Sequence, residues 1–180
     1  MSYMNSITIA CVVAITGTAN ATLIGDNYTA NLLLNGDVAA SNADTAAIGP
    51  DANGNWLGLL NYDVEADTIT VSSATTNPAS MWNSGLGFQF ADLDFVGFPN
   101  REIIGATVIA AGGLGFSDIS DADLSWTTDS LTISNDATAG SPANTDQFVT
   151  VQLLTRDVPA PTSLALLGLG ALGAGRRRRS

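Results

Sequence analysis

The chain has no histidine and no lysine among its 180 residues, one cysteine (Cys11) and two glutamates, Glu65 and Glu102. Without an imidazole or a side-chain amine there is no Ser-His-Asp relay, no imidazole metal site, no P-loop lysine and no Schiff base. With one cysteine the chain can neither close an internal disulfide nor build a thiolate metal site. Positive charge is almost as scarce. All six basic residues are arginines, and between Thr22 and Asp157 only Arg101 and Arg156 stand against all 17 acidic residues, a formal charge of −15. Neutralising phosphates takes basic clusters, so nucleic acid is excluded as a partner. Such a surface stays soluble by self-repulsion and is steadied by salt or divalent cations that screen it. No window carries the 3.6-residue apolar stripe of an amphipathic helix.

What is present begins with two unusual ends. The opening MSYMNSITIACVVAITGTANA has an apolar run from Ile7 to Ile15 and closes on Ala19-Asn20-Ala21, a small-x-small cleavage site. Residues 1–21 therefore read as a signal helix directed to the Sec translocon, with Thr22 as the mature N-terminus. Its n-region has no Lys or Arg, only the free amine, and the alternative is a first core strand over Ile7–Ile15. A lipoprotein is not expected at Cys11, because Thr8 stands where a lipobox has leucine and the apolar run continues past the cysteine.

The closing stretch VPAPTSLALLGLGALGAGRRRRS has three parts in order. Pro159 and Pro161 hold φ near −65° and push their predecessors out of the helical region, so a helix starts only after them, capped by Thr162 or Ser163. The uncharged run Leu164–Gly175 follows, with five leucines at roughly −0.5 kcal/mol each, a gain of about 2 to 3 kcal/mol. Arg176, Arg177, Arg178 and Arg179 then stop it on the cytoplasmic side. A span normally needs about 20 residues, and this one is shorter, a marginal anchor. An ordinary tail anchor and a buried helix are the alternatives.

This arrangement resembles the PEP-CTERM sorting signal of exported bacterial proteins: a Pro-Glu-Pro triplet, a short transmembrane helix and a terminal arginine cluster. By position the triplet is Pro159-Ala160-Pro161, directly after Val158, with Ala160 where the family has glutamate. The transmembrane helix spans about 163–175 within a signal at 158–180. The resemblance implies an inner-membrane intermediate, recognition and cutting by a membrane-embedded exosortase, and delivery to the cell surface or an exopolysaccharide matrix. The run from Phe88 through Ile104 to Ile133 also resembles, loosely, bodies attached to this signal.

Residues 22–157 show short alternating runs between turn signals, the strand period of two. They are Tyr28–Leu34 closed by Asn35-Gly36, Trp56–Tyr62, Thr68–Ser72, Leu86–Phe90 continued by Leu93 and Phe95, Ile103–Ala110, Leu124 with Trp126, Leu131 with Ile133, and Phe148–Leu154. Ala39–Asn55 reads as a loop, and Ile103–Ala110, apolar on both faces, as a central strand. The fold class is all-β, an antiparallel sandwich or jelly-roll-like body. One echo is visible: Leu60-Asn-Tyr62 before Asp67-Thr-Ile69, and Leu124-Ser-Trp126 before Asp129-Ser-Leu131.

Carboxylates, hydroxyls and two arginines are left for chemistry. Paired carboxylates hydrolyse glycosides when about 5 to 10 Å apart, which makes Glu65, Glu102, Asp63, Asp92 and Asp94 candidates, though acids on turns need no such role. Asp118, Asp121 and Asp123 put three carboxylates within six residues, a weak Ca²⁺ candidate without the Gly and distal Glu of an EF-hand; a solvated loop is the plainer reading. No other cofactor is expected. Of the tryptophans, Trp126 alternates with Leu124 and reads as core, Trp56 lies in a strand, and Trp82 in a Gly/Ser/Asn loop is the better sugar-stacking candidate. The balance is a non-enzymatic structural or adhesive surface protein, with a carbohydrate-binding module as first rival and a carboxylate hydrolase behind it.

Overall fold

A computed structural model describes residues 22–47, 53–75, 81–82, 85–135, 141–142 and 144–158. The expected signal helix and transmembrane helix lie outside them. Among the described residues no helix is long and apolar enough to cross a membrane.

The strands are β1 (Asn27–Leu34), β2 (Asp37–Thr45), β3 (Gly54–Trp56), β4 (Leu60–Val64), β5 (Thr68–Ser73), β6 (Met81–Trp82), β7 (Leu86–Ala91), β8 (Arg101–Gly112), β9 (Leu124–Trp126), β10 (Leu131–Asn135), β11 (Ser141–Pro142) and β12 (Phe148–Asp157). They build two five-stranded sheets, β2-β1-β7-β10-β9 and β3-β4-β5-β12-β8, and a small β6/β11 ribbon. Every pairing is antiparallel. The body is a β-sandwich, as the period-two runs imply.

Alternation decides which side chains meet between the sheets. On β5, Ile69 and Val71 are fully buried while Thr68, Thr70 and Ser72 face outward, and Thr70 and Thr150 join their hydroxyls at 3.1 Å across to β12. Tyr28, Phe88 and Phe90 from the first sheet meet Trp56 and Tyr62 from the second. Trp56 stacks on Phe88 at 5.8 Å, lies 4.3 Å from Tyr62, and donates its indole N–H to Ala30 O at 3.0 Å. Each aromatic pair adds about 0.5 to 1.5 kcal/mol beyond area burial, so this cluster ties the two layers together.

Local chemistry sets several bends. Asn35 and Gly36 take φ of 54° and 87°, a type I′ hairpin turn, which fixes Leu34 opposite Asp37. The strand β2 that follows replaces the first part of the expected Ala39–Asn55 loop. Its small polar residues hid it, because an edge strand with one face in water needs little apolar surface. Trp56–Tyr62 is two strands, not one: Leu57 adopts φ 57° and the Leu59 amide returns to Trp56 O at 2.9 Å. A leucine in the left-handed region carries no turn signal. Leu93 and Phe95 are buried as expected, re-aimed by the φ of 60° at Asp92.

Two placements differ from expectation. Ile103–Ala110 lies in β8 at a sheet edge, not the centre. Its edge is covered instead: Asp121 accepts from the Val108 amide at 2.6 Å and Thr128 O from the Ile103 amide at 2.9 Å. Protecting an edge in this way prevents pairing with another chain. Trp126 is 43% exposed rather than core, because β9 ends its sheet. The two echoing segments are both hairpins, β4–β5 and β9–β10, in different sheets.

Candidate functional site at the end of the last strand

Strand β12 carries the chain out of the body. From Phe148 to Leu153 it alternates into the core, with Val149, Val151 and Leu153 buried. A register shift follows between Leu154 and Thr155, and beyond it Thr155, Arg156 and Asp157 pair with Ile103, Glu102 and Arg101 of β8. None of these last residues is buried.

They are held by charge and backbone. Arg101 grips Asp157 with a two-toothed contact, Nε to Oδ1 at 2.8 Å and Nη2 to Oδ2 at 3.1 Å. Through those hydrogen bonds it holds the exposed Asp157 carboxyl below the usual carboxylate range. The Arg101 guanidinium also lies 4.8 Å above the Phe98 ring. One position earlier, Arg156 donates from Nε and Nη2 to Glu102 Oε1 at 2.8 and 2.6 Å. Both arginines of the body thus serve the same strand end.

Val158 is exposed, and its amide donates to Asn100 O at 2.7 Å. With Gly97, Phe98, Pro99, Asn100 and Asp157 it lines a cleft of about 250 Å³. The other end of the body reaches the same loop: the Val96 amide donates to Thr22 O at 3.2 Å, and the neighbouring Leu23 is buried. Entry and exit of the body therefore meet at 96–100.

Of the residues singled out from sequence, Pro159, Ala160, Pro161, Arg176, Arg177, Arg178, Arg179, Ala19 and Ala21 lie outside the described residues. Trp82 is described only through the pairing of β6 with β11. The three aspartates of the calcium candidate are engaged separately. Asp121 accepts from Thr107 Oγ1 and the Val108 amide, Asp123 accepts from the Ser120 amide and hydroxyl at 2.8 and 2.9 Å, and Ser117 Oγ donates to Asp118 at 3.5 Å. Among the described residues no three acidic, histidine or cysteine side chains come together as a metal centre.

Of the carboxylate candidates, Glu102 is taken up by Arg156, and Asp92 accepts from Thr29 Oγ1 at 3.2 Å. Burial, then the charge of Glu65, raises Asp63 from 3.8 to about 6. One acid went unnoticed in the sequence. Asp26 is 7% exposed, and burial foremost, with the charges of Asp94 and Asp92, raises it from 3.8 to about 6, although it accepts the Asp94 amide at 2.7 Å. It stands between Gly25 and Asn27, outside every strand read from the sequence. Tyr62, likewise, bonds across the layers to Asp44 and Asn42.

No curated protein and no solved structure matches the chain. Residues 157–179, beginning at the ion-paired Asp157, match the family model of the PEP-CTERM protein-sorting motif, which marks proteins exported to the cell surface by way of the membrane and implies recognition by an exosortase.

Proposed function

We propose that this chain is a non-enzymatic, acidic β-sandwich protein cut by an exosortase near Pro159-Ala160-Pro161 and released to the cell surface or an exopolysaccharide matrix, where it has a structural or adhesive role. The observation that carries this reading is the position of the sorting motif, which starts at the final residue of β12 and leaves a complete sandwich ahead of it. The body's formal charge of −15 suits a hydrated polysaccharide setting, where counter-ions screen self-repulsion. No cofactor is assigned. The test is the intact mass and location of the protein in its host, with and without the exosortase. A product outside the cell, starting at Thr22 and ending close to Pro159–Pro161, is expected. An external product that keeps its terminal arginines, or a cytosolic one, refutes the reading.

A second reading, a carbohydrate-binding module at the same address, is favoured by two features of the first sheet. Trp126 stands exposed on β9, and a groove of about 450 Å³ lined by Leu33, Gly87, Thr132 and Ser134, among others, contains no charged residue.

A further inference from the structure

We propose that the end of β12 is a latch that must open before the sorting motif can be cut, and that the register shift at Leu154/Thr155 is the line along which it opens. This rests on the exosortase reading above and adds the step that controls it. A peptidase takes its substrate as a separated, extended chain, so residues hydrogen-bonded into a sheet have to leave it first. Pro159 is the next residue after Val158, whose amide is bound to Asn100 O, and Asp157 is still paired with Arg101. The hydrogen-bonded end of β12 therefore reaches the residue directly before the triplet.

Against β8 the strand has two register shifts, at Thr150/Val151 and Leu154/Thr155, and only beyond the second does β12 carry no buried residue. Before that second shift, Val149, Val151 and Leu153 are locked in the core; after it, Thr155 is half-buried and Arg156, Asp157 and Val158 are exposed. A bulge interrupts the ladder and separates the two stretches mechanically. The outer stretch is closed by its backbone bonds and by the Arg101–Asp157 and Arg156–Glu102 pairs. Opening as far as the bulge leaves Val149, Val151 and Leu153 in place, uncovers Ile103 on one side only, and frees four residues ahead of the triplet.

The experiment uses full-length precursor and membrane vesicles containing the exosortase, in a Cys11→Ser background. Glu102→Cys with Arg156→Cys, at paired positions outside the matched motif, allows a disulfide across the latch. Oxidised, this precursor is expected to be cut at least tenfold more slowly than the parent; reduced, it is expected to be cut faster than the parent. Arg101→Gln, which releases Asp157 without changing the motif, is expected to speed cutting about two- to fivefold, the shift that losing one exposed ion pair produces in an opening equilibrium. Cutting of the oxidised precursor at the parent rate overturns the latch. A parent precursor that remains uncut instead overturns the exosortase reading beneath it, so the two failures are distinguishable.

Discussion

Replacing Asp26 by asparagine should stabilise this protein at neutral pH. Asp26 is almost fully buried between Gly25 and β1, beside Asp94 and Asp92, and the backbone amides of Asp94 and Asn27 offset only part of the cost of burying its charge. In the fold its pKa is about 6 against 3.8 for the free group. At this site the native state therefore holds a proton more tightly than the unfolded chain, and by linkage the contribution of Asp26 to stability is fully present below about pH 4 and is lost as pH rises through about 6. At about 1.4 kcal/mol per pKa unit, two units set an upper limit near 3 kcal/mol. Asparagine keeps a carbonyl oxygen for the Asp94 amide and carries no charge at any pH. Urea denaturation of residues 22–158 at pH 4.5 and 7.5 provides the measurement. Asp26→Asn is expected to be about 1 to 3 kcal/mol more stable than the parent at pH 7.5, with much less difference at pH 4.5. A variant less stable than the parent at pH 7.5, or one whose advantage is the same at both pH values, would show that burial of the charged carboxylate is not what weakens the fold. Asp63, raised to about 6 chiefly by burial, should contribute in the same direction.

Asp121→Ala should cost about 0.5 to 1.5 kcal/mol, since it removes the acceptor of the Val108 amide at the solvent-facing β8 edge, and it should increase concentration-dependent association through that edge; light scattering and denaturation together read both effects. If the protein binds matrix polysaccharide, Trp126→Ala should abolish most of that binding in a pull-down with the insoluble polymer while leaving the melting temperature within a few degrees, because Trp126 is exposed on an edge strand. Unchanged binding would remove Trp126 as a stacking platform.

Composition and period-two alternation determined much by themselves. The missing histidine and lysine closed off whole classes of chemistry, Ile69 and Val71 announced the buried face of β5, Asn35-Gly36 announced the end of β1, and the three-part tail carried the sorting motif in one contiguous stretch. Those features are local, so residues close in the chain suffice to specify them. What needed tertiary structure was every property set by a neighbour distant in sequence. Whether Ile103–Ala110 is central or at an edge depends on what stands beside it, and Asp121 supplies that cover. Whether Trp126 is core or exposed depends on where the sheet stops, and whether Asp26 is solvated depends on Asp92 and Asp94, more than sixty residues away. The pairing of both body arginines with acids across β8 and β12 is of the same kind: it joins positions over fifty residues apart, and only folding brings them to the point where the chain leaves the sandwich.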